Sequence, residues 1–135
     1  MPLTLDQTQT LIAAAQEHAL EAGLKVTVAV VDEGGLLKAL ARMDGAPPLS
    51  AQIAEAKAVG AALWHRDGDE LAAVQESRGA FFGAVSQLVR MPLMPADGSV
   101  VIRDGDRVLG AVGVSGAKPE EDRECAEAGV DAVLG

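Results

Sequence analysis

The stretch Val108-Leu109-Gly110-Ala111-Val112-Gly113-Val114-Ser115-Gly116 is the most informative part of this chain. Its apolar residues predict a buried strand over 107–115, and its glycines allow another backbone or a ligand to approach closely. The acidic segment Lys118-Pro119-Glu120-Glu121-Asp122 follows. Pro119 suits the first position of a helix, so we expect a closing helix over 119–134 whose free N–H groups could hold an anion.

The rest of the chain predicts helices and strands in a definite order. Thr4 with Gln7 fits a capping box, which predicts a first helix over 5–22 that stops at Gly23. The β-branched run from Val26 to Val31 predicts a strand, and the turn residues after it indicate that the chain reverses into a second strand that pairs with the first. The other predicted elements are that partner strand over 36–42, helices over 51–64 (capped by Ser50), 70–75 (capped by Asp69) and 79–88, and strands over 89–93 and 99–103.

This order, α-β-β-α-α-β-β-β-α, contains hairpins and no regular alternation of strand and helix. It predicts the α+β class: a mainly antiparallel sheet of about five strands covered by helices. Gly110, Gly113 and Gly116 lie three residues apart and partly inside the strand. That spacing does not fit the turn of a dinucleotide-binding Rossmann fold.

Composition excludes several classes of partner. The 135 residues fit one domain, and their net charge of −9 leaves no basic stripe for nucleic acid or an anionic membrane. No apolar run approaches the length of a membrane span, and the first residues do not form a signal peptide. Cys125 is the single cysteine, which favours a reducing compartment. We therefore expect a cytoplasmic protein.

Three motifs together resemble the GlcG/HbpS haem-binding family. They are Arg42-Met43-Asp44-Gly45-Ala46, the segment 54–58 with Lys57, and the stretch 110–116 with Asp122. The same domain forms the C-terminal part of PduO-type proteins. The resemblance implies a profilin-like α+β fold, a homo-oligomer (dimer or higher) and haem binding in several members. Gly98-Ser99-Val100-Val101-Ile102 departs from the family's Gly-Gly-x-Pro-Ile pattern, and an unusual Met91-Pro92-Leu93-Met94-Pro95 precedes it. These departures weigh against assuming the family's usual ligand.

Five residues are candidates for holding haem or a related ligand. His18 lies at the edge of the first helix's apolar stripe, so its imidazole could bind haem iron as the metal ligand; the alternative is a boundary histidine with one side in water. His65 is better explained as a cation at a helix C-terminus. Met43 and Phe82 could line a porphyrin pocket or fill the core. Gly113 and Ser115 lie on the glycine-rich strand, where a ligand could approach.

Arg42, Asp44 and Lys57 form the best polar group for catalysis. Lys57 lies on a helix face whose other regular positions are apolar, so it needs a carboxylate partner. As catalytic residues, Lys57 or Asp44 could move a proton while Arg42 holds a substrate carboxylate. As structural residues, they could form a salt bridge that ties the hairpin to the second helix.

Two functions remain open at this stage. The first is a small-molecule-binding protein that holds haem or a related ligand in a pocket between the first helix and the sheet. The second is a cofactor-independent enzyme (an isomerase, hydrolase or lyase) that acts on a small carboxylated metabolite through Arg42, Asp44 and Lys57. A purely structural subunit of an assembly is a third possibility. No nucleophile–base pair is visible, which favours binding.

Overall fold

A four-stranded antiparallel sheet with helices on both faces forms the scaffold in a computed structural model, which describes residues 2–134. The strands lie side by side in the order β2-β1-β4-β3. The elements are α1 (Leu5–Glu21), β1 (Thr27–Asp32), β2 (Leu37–Arg42), α2 (Leu49–Trp64), α3 (Gly68–Ser77), α4 (Gly79–Ser86), β3 (Ser99–Asp104), β4 (Arg107–Ser115) and α5 (Pro119–Leu134). The predicted α+β class is confirmed.

The fifth strand, predicted over 89–93, is wrong. This segment runs along α2 and packs its apolar side chains, including Met91 and Leu93, against the helix side of the core. Pro92 has no N–H to give to a sheet. The N–H of Met94 then donates to the carbonyl oxygen of Ala56 on α2 at 3.0 Å. The segment therefore lies on the helix surface through its apolar contacts and through this bond from the residue that follows it.

One of the three predicted helix caps is present in the structure and two are not. The capping box of α1 is confirmed: the N–H of Gln7 donates to the Thr4 hydroxyl at 3.0 Å, and the Thr4 N–H donates to the Gln7 side chain at 2.9 Å. Ser50 is not a cap. It lies inside α2, buried, where its hydroxyl hydrogen-bonds the hydroxyl of Thr27 on β1 at 2.8 Å. Asp69 is not a cap either, since α3 begins at Gly68, ahead of it.

The two faces of the sheet carry different layers. Strand residues alternate between faces, so Val112 and Val114 of β4 join the core beneath α1 and α5, whereas Ala111 joins the core beneath α2. The α1 side has the larger apolar residues. Its buried members include Leu11, Ile12, Ala15, Ala19, Val28, Val30, Val112, Val114, Cys125 and Ala126.

Gly113 explains why α2 packs so closely on the sheet. A Cβ added at this position would lie 2.1 Å from the carbonyl oxygen of Ala54 and 2.8 Å from the backbone nitrogen of Ala58. The helix backbone therefore rests directly on the strand. Only glycine leaves room for that contact.

Candidate functional site

Lys57 and Asp122 form a buried ion pair between α2 and α5. The Lys57 Nζ lies 3.2 Å from Asp122 Oδ2, and the side chains are 7% and 3% exposed. Lys57 also donates to the carbonyl oxygen of Val114 at 2.9 Å. Asp122 Oδ1 accepts the N–H of Ala117 at 3.0 Å. Lys57 thus has the carboxylate partner that its apolar surroundings require, but the partner comes from the far end of the chain.

Gly98 closes the space over this pair. It has φ +112, and a Cβ there would lie 2.7 Å from the Lys57 Nζ. Its carbonyl oxygen accepts the N–H of Val114 at 2.8 Å. Burial raises the pKa of the Asp122 carboxyl, while the charge of Lys57 acts in the opposite direction. Because both ions are enclosed, the pair fixes where α2, α5 and the start of β3 meet.

The predicted group of Arg42, Asp44 and Lys57 does not assemble around Lys57. Arg42 and Asp44 are exposed, and neither forms an ion pair with Lys57 within residues 2–134. Instead, an Arg42 guanidinium nitrogen donates to the carbonyl oxygen of Ala46 at 3.0 Å. The expected salt bridge between hairpin and helix is therefore wrong, because Lys57 faces Asp122. The catalytic roles of these residues stay predictions.

The five ligand candidates lie on opposite faces of the sheet. His18 and Met43 lie on the α1 side, where Met43 packs against the core. His18 is 37% exposed, with Nε2 3.9 Å from Glu124 Oε2 on α5. The pocket expected between α1 and the sheet is filled by core side chains, which include Leu11 and Ile12. His18 therefore faces the surface between α1 and α5.

The remaining candidates lie on or near the α2 side. Phe82 is buried and stacks on Trp64, with ring centroids 5.2 Å apart and planes at 14°. Gly113 is covered by α2, and Ser115 is buried opposite Thr27 in the β1–β4 pair. The structure therefore separates these three from His18 and Met43, and no single pocket contains all five.

A groove along α2 went unnoticed in the sequence. It has a volume of about 470 Å³, and we call it the α2 groove. Its floor is one face of α2 and its far wall is the segment that follows α4. Its lining residues are Leu49, Gln52, Ile53, Glu55, Ala56, Pro92 and Met94. The unusual Met91–Pro95 run was the available signal, since it supplies that wall.

A cluster of carboxylates lies at the start of α3. Ligand oxygens of Asp67, Asp69 and Glu70 lie within 4.8 Å of one another. Arg123 already provides a positive charge there, since its guanidinium lies 3.6 Å from Asp69 and 3.3 Å from Asp97. Asp67 accepts the N–H of Val101 at 2.8 Å, and burial raises its pKa. Through these interactions the carboxylates connect α3 to β3 and α5, which accounts for the cluster.

Comparison with known proteins gives a consistent result. A family model described as "Haem degrading protein HbpS-like" matches residues 3–131. Protein GlcG of Escherichia coli K12 is 38% identical over 117 residues, which cover 84% of this chain and 81% of that protein. Every helix within residues 2–134 is too short or too polar to cross a bilayer.

Solved structures extend the similarity to three dimensions. An HbpS double mutant from Streptomyces reticuli superposes with a TM-score of 0.88 at 31% identity, covering 100% of this chain and 88% of that one. A complex of PduOC with heme superposes with a TM-score of 0.88 at 26% identity, covering 98% of this chain and 96% of that one. The whole fold is therefore shared with both.

Proposed function

The chain belongs to the HbpS-like family, and on this premise we propose that it binds haem or a closely related tetrapyrrole. The observation that carries the proposal is the similarity to a solved heme complex across 98% of this chain. The matching family model, which covers residues 3–131, supports the same ligand class.

The residues around His18 fit such a ligand. Its imidazole is partly exposed, and its nearest charged neighbour, Glu124, stays at 3.9 Å. Ala14 lies one turn before His18, and the C-cap residue Ala22 lies about one turn after it, so small side chains precede and follow the imidazole along the helix. Small side chains and partial exposure leave room beside the imidazole for the flat face of a macrocycle. We infer that His18 holds the iron and that haem, when bound, supplies redox chemistry.

The proposal is tested by titrating haemin and following the Soret band. We expect saturable binding by the wild type and at least a tenfold loss of affinity in His18→Ala. His65→Asn is the matched control, because His65 is the other histidine of the chain and has φ +55, which asparagine tolerates. Absence of saturable binding would refute haem binding. Unchanged affinity in His18→Ala would refute only the assignment of His18.

The rival enzymatic function has less support. Lys57 is enclosed by Asp122, Val114 and Gly98, so its ammonium is not available to a substrate in this arrangement. Arg42 and Asp44 do not face it. We therefore rank binding ahead of proton-transfer catalysis by this trio.

We further propose a cytoplasmic homo-oligomer. The exposed apolar side chains Leu36 and Leu37 lie at β2, an edge strand whose outer backbone groups have no neighbouring strand within residues 2–134. Such an edge favours pairing with a second copy. The free thiol of Cys125 fits a reducing compartment.

A further inference from the structure

The α2 groove lies on the opposite side of the sheet from His18, so it is separate from the proposed haem position. Its volume of about 470 Å³ falls within the range of roughly 300–1,000 Å³ typical of small-molecule sites. Most of its lining is aliphatic: Leu49, Ile53, Ala56, Pro92 and Met94. It therefore suits an apolar body.

One wall of the α2 groove is anchored to the fold at Met94. The Met94 N–H bonds the Ala56 carbonyl on the groove floor at 3.0 Å. Four residues further on, Gly98 packs against the buried Lys57–Asp122 pair. The segment between them is thus fixed at both ends. Anchoring Met94 on the groove floor partly forms the site before a ligand arrives, which lowers the entropic cost of binding.

The polar groups of the α2 groove select the charge of its ligand. Glu55 and Gln52 are its polar lining residues, and neither side chain forms an ion pair or a hydrogen bond with another residue in the part described. Glu55 is half-buried beside aliphatic groups. No lysine or arginine lines the groove. An anionic ligand, such as one with carboxylates, would therefore meet only a like charge.

We propose that the α2 groove binds a small amphipathic molecule with an apolar body and a cationic head, with Glu55 as the counter-charge. The aliphatic walls take the body, and the unpaired Glu55 carboxylate takes the head. The net charge of −9 attracts such a cation and opposes entry by an acidic surface of a second copy. This site does not depend on haem binding.

The test uses two probes with equal chains and opposite heads: octylammonium and octanoate. Protein labelled at the methionine methyl groups reports the position by NMR, because Met94 lines the α2 groove while Met43 packs on the other face of the sheet. We expect octylammonium to shift the Met94 signal saturably, to leave Met43 unchanged, and to bind equally well to His18→Ala. Octanoate should leave the Met94 signal in place.

Glu55→Gln tests the counter-charge. It should weaken octylammonium binding about threefold to fivefold, the size expected of a partly exposed ion pair. Glu127→Gln, an exposed carboxylate on α5, is the matched control and should change nothing. Equal binding of octanoate, or no effect of Glu55→Gln, would overturn the proposal. An unmoved Met94 signal with octylammonium would also overturn it. If Leu49→Glu then altered the sedimentation of the protein, a second copy would be the occupant of the groove.

Discussion

Replacing Lys57 with methionine tests the buried ion pair most directly. The change keeps the length and apolar stem of the side chain but removes the charge 3.2 Å from Asp122 Oδ2. Breaking a buried pair by removing one partner costs about 3–5 kcal/mol. We expect about 3 kcal/mol here at pH 7, because Asp122 keeps its bond from the Ala117 N–H and can take up a proton instead of remaining charged.

The same variant has a defined pH dependence. Burial raises the pKa of Asp122 above its usual 3.8, and the charge of Lys57 limits that rise. Lys57→Met therefore raises the native pKa further. A carboxyl with a raised native pKa contributes stability that is complete below pH 3.8 and is lost as the pH rises through the native value. At pH 7, Lys57→Met loses more of this stability than the wild type does. The difference between their free energies of unfolding should therefore shrink as the pH falls from 7 towards 4.

Urea unfolding followed by the fluorescence of Trp64, the only tryptophan, measures the effect. With a slope of about 2 kcal/mol/M, a loss of about 3 kcal/mol lowers the midpoint by about 1.5 M. Lys118→Met, at an exposed lysine, is the control and should stay within about 0.5 kcal/mol of wild type. Adding Asp122→Asn to Lys57→Met should restore part of the loss, because the uncompensated charge is gone. A single-variant shift below about 0.3 M, or no recovery in the double variant, would refute the reasoning.

Two further predictions concern packing and reactivity. Gly113→Ala should lower the free energy of unfolding by about 3 kcal/mol, since its Cβ would lie 2.1 Å from the Ala54 carbonyl oxygen. Gly83→Ala in α4 should raise it by about 0.5–1 kcal/mol, because nothing lies within 4 Å of the added Cβ. Thermal unfolding of both variants checks the contrast. Burial raises the pKa of the Cys125 thiol to about 11, so a thiol reagent at pH 8 should react at least about 100-fold more slowly with the folded protein than in urea. Equal rates would contradict the buried position.

Local chemistry made most of the fold predictable. The Thr4–Gln7 box, the β-branched run at the first strand and the apolar run over 107–115 each depend on neighbours in the sequence, and the predicted elements formed there. The segment 89–93 has the composition of a strand, but it bonds to α2 through Met94. Tertiary contacts decide whether such a segment joins a sheet edge or packs on a helix, and local propensity does not determine it.

The candidate site was harder to predict for the same reason. The sequence indicates that Lys57 needs a carboxylate partner, and grouping it with Arg42 and Asp44 predicts a salt bridge to the hairpin. The structure selects Asp122, 65 residues away, because β4 carries the chain past α2 before α5 begins. One oxygen of Asp122 accepts the Ala117 N–H at the start of α5, a local bond of the kind that sequence spacing can indicate. Its second oxygen serves a partner that no spacing rule identifies.

The division of the sheet into two unlike faces links these observations to function. Large apolar residues fill the α1 side, so a ligand there must bind on the outer surface beside His18. On the α2 side, Gly113 lets the helix backbone lie on the strand, and the buried Lys57–Asp122 pair packs against Gly98, four residues after the groove residue Met94. An ion pair is a costly way to stabilise a core compared with apolar packing. We infer that the pair serves to position Gly98 and the chain that leads back to Met94. Lys57→Met should therefore shift the Met94 methyl signal of the α2 groove while leaving that of Met43, on the α1 side, in place.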